Sequence, residues 1–197
     1  MEIKQLEYFA AAVEYGSLNR AAENMLEIGM ICAEAGEKIA RVSANMAMAA
    51  DMEVRASSTA TTGAYSSACQ RGLPAILMER GGGGRFTDSE VQAYKRDVKN
   101  IMIRMGLLSG EEVHTVQQKN VTRAEYLEAE TDGLWYPVFS AGDTFSGGAV
   151  LGTVRDIWGN LLREYRADYP GIILYQTVGL GVKTGDPLIA YGEYVDR

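Results

Sequence analysis

Two segments in the last third of the chain follow one pattern, and this repeat constrains the fold more than any other feature. The segments are GLWYPVFSAGDTFSGGAVLG and GIILYQTVGLGVKTGDPLIA, which begin at Gly133 and Gly171. Both contain an apolar residue, a glycine three positions later and a leucine six positions later: Phe145, Gly148 and Leu151, and Val182, Gly185 and Leu188. Glycine suits a tight turn, and each leucine then begins a return strand. The repeat therefore predicts two facing hairpin units in a small β sandwich or hybrid barrel.

Before the repeat, the chain has the periodicity of helices that alternate with strands. Apolar residues recur at helical spacing at Ile39, Val42, Met46 and Ala49. The run LPAILM predicts a buried strand, because it is continuously apolar after the proline. Proline is tolerated at a strand start. Thr87 and Glu90 have the spacing of a capping box and open a helix that Gly106 ends. The apolar face of this helix is predicted to contain Val91, Tyr94, Val98, Ile101, Met102 and Met105.

These patterns divide the chain into three predicted parts. Residues 1–26 predict a helical segment, residues 27–110 a partial α/β layer, and residues 111–197 a β domain that contains the repeat. The predicted fold class is therefore α/β, followed by a small all-β domain of the barrel-sandwich type. Trp135 and Trp158, both in the β domain, are expected to be packing residues.

Charge and composition disfavour several classes of function. The 197 residues carry a net charge of −7 and a pI near 4.9, which disfavours binding to a nucleic-acid backbone. No apolar run approaches the ~18 residues of a membrane-spanning helix, and no signal peptide is visible. Cys32 and Cys69 form neither a zinc-ligand spacing nor a disulfide framework. We therefore expect a cytoplasmic protein in a reducing compartment.

One motif carries a resemblance to a known family. The strand run ends in Glu79 and Arg80, and four glycines follow, in RGLPAILMERGGGGRF. Together with the capped helix, the word MGLL and the β repeat, this motif resembles the succinylglutamate desuccinylase and aspartoacylase family. Its members are zinc hydrolases related to the zinc carboxypeptidases, and its glutamate strand has the form G-[IL]-P-A-I-x-x-E-x-G-G. The resemblance covers about residues 36–195 and implies the family's second half without its first.

The resemblance implies that Glu79 is a general base. In the family this glutamate accepts a proton from zinc-bound water and passes it to the leaving amine of an N-acyl amino acid or similar small molecule. A strand end holds such a base in place, and partial desolvation raises a carboxylate pKa toward working pH. A cation at Arg80 would lower that pKa, and Arg85 is a candidate contact for a substrate carboxylate. The alternative is that Glu79 and Arg80 pair at a sheet edge beside a mobile glycine loop.

The resemblance also implies zinc, but the sequence does not contain the expected ligands. The family's H-x-x-E word and a later histidine lie upstream of the glutamate strand, and no histidine precedes Glu79. The single histidine, His114, follows the capped helix, where the family places no ligand, so we expect a surface residue. A catalytic zinc needs about three protein ligands. We therefore expect a truncated member that is inactive, or nearly so, when alone.

A partial fold has consequences for partners. The family's sheet is built from strands of both halves, so this chain should have an open apolar edge. We expect self-association or a partner chain that supplies the missing half, a small N-acyl substrate if the protein is active, and neither a membrane nor DNA.

Three other interpretations stay open. The first 25 residues, MEIKQLEYFAAAVEYGSLNRAAENM, resemble the start of a LysR-type helix-turn-helix regulator, although LEIGMICAEAGEKIARV does not supply the recognition helix that should follow. The protein would then be a non-enzymatic regulator or binding module with a degenerate deacylase-like domain. A gel shift would test this interpretation by detecting DNA binding. An ordinary amphipathic helix pair or an accidental fusion without function are the remaining alternatives.

Overall fold

The computed structural model describes residues 23–25, 27–32, 36–58, 62–82 and 85–196. Within these ranges the helices are α1 (Glu37–Ala49), α2 (Ala64–Gln70) and α3 (Asp88–Arg104). The strands are β1 (Glu23–Met25), β2 (Ile28–Cys32), β3 (Val54–Ser58), β4 (Ile76–Glu79), β5 (Lys119–Glu128), β6 (Gly133–Pro137), β7 (Thr144–Phe145), β8 (Val150–Arg155), β9 (Leu161–Arg166), β10 (Gly171–Thr177), β11 (Gly181–Val182) and β12 (Pro187–Asp196). From β2 to α3 the described strands and helices alternate, and only strands follow α3.

The strands form one large mixed sheet and one smaller antiparallel sheet. The large sheet has the order β1-β10-β12-β5-β3-β2-β4, and β7 pairs with β10 beside this path. β3 is parallel to both β2 and β5, whereas β4 is antiparallel to β2. The smaller sheet has the order β11-β6-β8-β9. This arrangement confirms the predicted α/β class with an all-β part that follows it.

The large sheet combines strands from both sides of residue 110. β2, β3 and β4 come from residues 27–110, whereas β5, β10 and β12 come from residues 111–197. The pairing of β12 with β5 runs from Pro187 opposite Glu128 to Asp196 opposite Lys119. The two predicted parts therefore share a sheet, and the domain boundary between them stays a prediction.

Helix α3 begins and ends where the local signals predicted. The Thr87 hydroxyl accepts a hydrogen bond from the backbone N–H of Glu90, and the Glu90 carboxylate accepts one from the backbone N–H of Thr87. At the other end, Gly106 has a φ of 71° directly after the last helical turn. Both signals act within a few residues, which is why the sequence alone was sufficient to find them.

The buried face of α3 differs from the predicted apolar face. Its buried residues are Ala93, Asp97, Asn100 and Ile101. Met105, predicted to lie on the buried face, is 40% exposed. Asn100 donates to the carbonyl of Val113 at 2.8 Å and accepts from the backbone N–H of Val113 at 2.9 Å. Buried polar partners therefore help to set the rotation of this helix, and apolar spacing alone did not predict it.

Two strands lie where the sequence predicted none. β1 occupies the end of the segment predicted to be helical and pairs with β10, from Glu23 opposite Thr177 to Met25 opposite Tyr175. The rest of that segment, residues 1–22 and residue 26, lies outside the described residues. β2 lies between β3 and β4 and shows no strand pattern of its own. Strands this short depend on their neighbours, so local sequence carries little information about them.

The two sequence repeats form matching units that exchange strands. The first unit contains β5, β6, β7 and β8, and the second contains β9, β10, β11 and β12. Each unit pairs its second strand with its fourth, β6 with β8 and β10 with β12. The remaining pairings among these eight strands are reciprocal between the units: β7 with β10, β11 with β6, β8 with β9, and β12 with β5. The two units are related by an approximate two-fold symmetry of topology, but they are not the predicted hairpins, because β7 pairs with β10 and β11 pairs with β6 instead of with the strands that follow them.

Hydrogen bonds at equivalent positions repeat this exchange. The backbone N–H of Gly148 donates to the carbonyl of Ala167 at 2.7 Å, and that of Gly185 donates to the carbonyl of Ala129 at 2.8 Å. Both glycines have a positive φ, of 80° and 88°, and make the turns that the sequence predicted. Each alanine lies four residues before the glycine that opens its copy. The repeat therefore begins earlier in the chain than the sequence comparison indicated.

An apolar core lies within the β domain. Leu151 and Leu188, the matched leucines of the repeat, are both fully buried. The indole of Trp135 covers Gly152 so closely that a Cβ at this glycine would lie 2.3 Å from the ring. Trp135 thus has the packing role that was predicted. The prediction for Trp158 is wrong, because its side chain lies in a turn and is 82% exposed.

Candidate active site

Glu79 is the last residue of β4, which is the terminal strand of the large sheet among the described residues. Its backbone lies opposite Ile28 of β2, and the residue is half-buried. Leu77, two residues earlier, packs in the cluster that contains Tyr65 of α2. Strand alternation gives Glu79 the same side of the sheet as Leu77. The structure therefore places Glu79 at a strand end and at a sheet margin, and its role as a base stays a prediction.

Arg80, the next residue, directs its side chain toward α3. The side chain is 1% exposed, and it forms an ion pair with Glu27. The guanidinium donates to Asp97 Oδ2 at 2.7 and 3.2 Å and to the backbone carbonyl of Asp51 at 2.8 Å. It also lies over the ring of Tyr94, 5.6 Å from the centroid. Arg80 is therefore the centre of a buried ionic cluster between β4 and α3.

Two acidic partners keep Arg80 charged. Burial alone would lower the pKa of its guanidinium, but the hydrogen bonds and charges of Asp97 and Glu27 raise that pKa above its ordinary value. The sequence suggested an unbalanced cation beside Glu79, which would weaken this carboxylate as a base. In the structure the positive charge of Arg80 is paired with Asp97 and Glu27, and its side chain lies against α3.

Asp51 and Asp97 connect this side of the sheet to the neighbouring loops. Both carboxylates are buried, and the backbone N–H of Asp51 donates to Asp97 Oδ1 at 2.7 Å. Asp51 accepts from Thr115 at 2.6 and 2.7 Å, from the N–H of Val116 at 3.1 Å and from Arg96 at 2.9 Å. Burial raises the pKa of Asp51, but the hydrogen bonds from Thr115 and Val116 and the charge of Arg96 outweigh it, so the pKa is lowered. The network holds the end of β4 against α3.

The glycine segment turns sharply after β4. Gly81 has a φ of 77°, and a Cβ there would lie 2.9 Å from Glu90 Oε1, so a side chain would be strained and crowded. Gly82 and Arg85 form an isolated antiparallel bridge, in which the N–H of Arg85 donates to the carbonyl of Gly82 at 3.2 Å. Arg85 and Phe86 are exposed at this turn. The assignment of Arg85 to a substrate carboxylate stays a prediction.

His114 lies in a different part of the surface. Its Nε2 is 3.0 Å from Oε2 of Glu112, which also pairs with Arg104. The hydrogen bond from Arg104 lowers the pKa of Glu112, and His114 adds to this effect against the opposing influence of burial. His114 and Arg104 border a surface cavity of about 230 Å³ whose lining does not include Glu79. The histidine is 39% exposed and is therefore a surface residue, as predicted.

The described residues do not fit a catalytic metal. No group of three His, Cys, Asp or Glu side chains within the described ranges is arranged to hold a metal ion. Two acidic residues near the end of β4, Asp97 and Glu27, are already bound to Arg80. A catalytic zinc needs about three protein ligands and an open position. The part of the chain that the structure describes therefore supplies a carboxylate at the strand end without a metal site beside it.

The chain is similar in sequence to a deacetylase. No family model matches it. The N-alpha-acetyl-L-2,4-diaminobutyric acid deacetylase of Halomonas elongata is 28% identical over 127 residues. This match covers 61% of the present chain and 37% of the deacetylase. The chain thus spans little more than a third of the length of this curated relative.

Solved structures have the same fold. The product-bound ectoine utilization protein EutE (DoeB) from Ruegeria pomeroyi has a TM-score of 0.76 at 19% identity, over 86% of this chain and 54% of its own. The succinylglutamatedesuccinylase/aspartoacylase from Rhodobacter sphaeroides has a TM-score of 0.76 at 20% identity, over 90% of this chain and 56% of its own. An aspartoacylase family protein from Mesorhizobium loti has a TM-score of 0.71 at 18% identity, over 90% and 55%.

The chain is therefore related to deacylases, and it spans about half the length of the solved structures that it matches. Its fold is that of the succinylglutamate desuccinylase and aspartoacylase family, so the resemblance inferred from the sequence is confirmed. The comparisons give no support to the LysR-like start. In the described part of the chain, none of the helices has the length and apolarity to cross a membrane.

The buried acidic residues were not predicted, although one of them carries a signal. Asp97 lies three residues after Tyr94 and four before Ile101, which places it on the same face of α3. A charged residue at a core position of a helix is rarely buried unless it is paired. Arg80, directly after an apolar strand, is the natural partner for such a residue. Asp51 lies in a connection between elements and shows no comparable pattern.

Proposed function

We propose that this chain is a partial deacylase that supplies the general base for hydrolysis of the amide bond in N-acyl amino acids or similar small molecules. The observation that supports the proposal is the position of Glu79, at the end of β4, the last described strand of the large sheet, and directly before the glycine turn. The name of the Halomonas relative, a deacetylase of an N-acetylated diamino acid, supports the substrate class.

The reaction requires a base that takes one proton from water. The water oxygen forms a bond to the acyl carbon, the carbon–nitrogen bond breaks, and the proton is delivered to the leaving amine. Glu79 suits this role because a half-buried carboxylate at a strand end has a fixed position. We assign Arg85, exposed in the adjoining turn, to the carboxylate of the amino-acid substrate, which a guanidinium binds in a bidentate manner.

The family resemblance implies zinc, which lowers the pKa of a bound water and makes it a nucleophile when the metal is present. The described residues do not fit this ion, because they contain no group of three possible ligands. We therefore propose that the isolated chain binds zinc poorly and is inactive or nearly so.

Zinc content and hydrolysis by the purified chain test the proposal. We expect less than stoichiometric zinc after purification with added metal, and no turnover of N-succinyl or N-acetyl amino acids, N-acetyl-2,4-diaminobutyrate included. Stoichiometric zinc together with turnover that Glu79→Gln abolishes would refute the proposed inactivity and support Glu79. Turnover that Glu79→Gln leaves intact would refute the assignment of the base. Glu128→Gln, at the exposed end of β5, is the matched control.

A further inference from the structure

The surface cavity beside His114 has the size of a small-molecule site. Its volume is about 230 Å³, which is the space of about eight water molecules in the liquid. Its walls come from the end of α1 and the connection to β3, from the segment 114–118 before β5, and from Arg104 at the end of α3. A space of this size suits a compact metabolite and is too small for a drug-sized ligand.

Arg104 and His114 lie together on the cavity wall because both bind one carboxylate. Arg104 donates to Glu112 through Nε and Nη2, and His114 Nε2 lies 3.0 Å from Glu112 Oε2. Glu112 is not part of the lining and holds both side chains in place. A guanidinium has five N–H donors, so three remain beyond the pair with Glu112. This part of the wall therefore has donors for a ligand carboxylate.

Gln118 gives another part of the wall the opposite polarity. Its Nε2 donates to the backbone carbonyls of Ala47 at 3.2 Å and Met52 at 3.3 Å, which fixes the orientation of the amide. Its Oε1 is buried and has no hydrogen-bond partner within the described part of the chain. Ala47 lies in the last turn of α1, where the helix dipole is negative and no basic residue compensates it. A positively charged donor is the group that this part of the wall favours.

The charged side chains around the cavity are already paired. Asp51, which lines the cavity, accepts hydrogen bonds from Thr115 at 2.6 and 2.7 Å and from Arg96 at 2.9 Å. The charges of Asp51 and Arg96 thus balance each other, as do those of Glu112 and Arg104. A ligand with a net charge would add an uncompensated charge here, whereas a ligand with one positive and one negative group would not.

We propose that this cavity binds a small amino acid in its zwitterionic form. The ligand carboxylate accepts hydrogen bonds from Arg104 beside His114, and the ligand ammonium group donates to Gln118 Oε1. A short apolar side chain of the ligand packs against Met48 and Met52, which also line the cavity. Glu79 is not part of this lining, so the binding site does not depend on the proposed function.

NMR titration of the 197-residue chain, with carbon-13 in the methionine methyl groups, tests this proposal. The probe is L-valine, which has a suitable size and an apolar side chain. We expect a dissociation constant of about 1 mM or lower. The methyl resonances of Met48 and Met52, assigned with Met48→Leu and Met52→Leu, should shift on binding because both residues line the cavity.

Two analogues of valine test the need for both charges. Isovalerate lacks the ammonium group, isobutylamine lacks the carboxylate, and both retain the branched apolar chain. Each should bind at least about tenfold more weakly than valine, because a charge-assisted hydrogen bond is lost. Gln118→Met should weaken the binding of valine without weakening that of isovalerate. If Gln118→Met does not fold, the comparison of the two ligands on the wild-type chain still tests the ammonium contact.

Arg104→Gln tests the carboxylate contact and should weaken the binding of valine at least about tenfold. Lys99→Gln, at an exposed position of the same helix, removes the same charge and should leave the affinity unchanged. Unshifted resonances of Met48 and Met52 overturn the proposal, and the cavity then holds water only. Isovalerate that binds as tightly as valine also overturns it, because any small carboxylate would then suffice. Binding that Arg104→Gln leaves intact overturns it as well, since the ligand would lie elsewhere.

Discussion

The β domain, formed by β5 to β12, and the α/β layer, formed by β2 to β4 with the three helices, are stabilised in different ways. In the β domain each repeat unit donates strands to the other, and the core is apolar and aromatic. In the α/β layer a buried ionic cluster around Arg80 connects strand, helix and loops, and the sheet ends at an apolar strand. Reciprocal strand exchange therefore links the two units of the β domain, whereas the α/β layer depends on a compensated buried charge and ends, among the described strands, at β4.

Buried polar side chains show the same division. The buried polar or charged residues within the described ranges are Ser43, Asp51, Ser58, Ser66, Asp97, Asn100 and Gln176. Only Gln176 belongs to the β domain. A buried charge costs several kcal/mol unless a partner compensates it, whereas apolar burial needs no specific partner. We therefore expect substitutions in the two regions to act through different physical causes.

Asp97→Asn should have the largest effect and acts on the α/β layer. Asp97 and Arg80 are a fully buried pair, so loss of the negative charge leaves Arg80 partly uncompensated. We expect the free energy of unfolding to fall by about 3–5 kcal/mol, measured by chemical denaturation. The control is Arg163→Ala, which removes an exposed pair with Glu130 and should change stability little. An Asp97→Asn protein as stable as the wild type would show that the cluster does not stabilise this layer.

Leu151→Ala and Leu188→Ala should have the next largest effect and act on the β domain. The two leucines occupy equivalent positions and are fully buried, so each truncation leaves a cavity in the same core. Each should lower the free energy of unfolding by about 2–5 kcal/mol, and the two losses should be similar. Leu161→Ala, at a residue that is 56% exposed, is the control. Clearly unequal losses would show that the two units, although equivalent in topology, do not contribute equally to stability.

Acid should weaken the α/β layer before the β domain, and this effect is the smallest because it is absent at neutral pH. Burial raises the pKa of Asp51, but hydrogen bonds from Thr115 and Val116 and the charge of Arg96 lower it below 3.8. A carboxylate with a lowered folded pKa stabilises the protein above its unfolded pKa, at about pH 4, and loses this contribution as the pH falls through the folded value. Hydrogen exchange as a function of pH should show the layer opening first, and Asp51→Asn should reduce this acid sensitivity.

Two carboxylates in the β domain provide the control for this comparison. The pKa of Asp132 is lowered by hydrogen bonds from Thr184, and the pKa of Asp156 by hydrogen bonds from Asn160. Asp132 is exposed, and Asp156 is half-buried beside an exposed turn, so solvent screens the interactions of both. Asp156→Asn should therefore leave the acid response of either region nearly unchanged. Opening of the β domain before the α/β layer would show that the buried carboxylates do not make the α/β layer the more acid-sensitive region.

Local signals predicted much of the fold and part of the candidate site. The turn glycines Gly148 and Gly185 and the cap at Thr87 act within a few residues, and each was found from the sequence. The strand that ends at Glu79 was found for the same reason, because an apolar run bounded by proline and glycine is a local pattern. By contrast, β1 pairs with residues at least 150 positions away, and no local pattern indicates that partner.

The sequence by itself determined the α/β class, the presence of two repeat units and the place of Glu79 at a strand end. Residue spacing, turns and helix caps each depend on residues that are close together in the chain. Only the tertiary structure decided that the repeat units exchange strands, that Arg80 turns toward Asp97, and that β4 is the last described strand of its sheet. These features depend on which distant segments meet. Whether a buried charge is compensated and whether a sheet edge is paired both depend on contacts between distant segments. Neither can be inferred from the local pattern of residues.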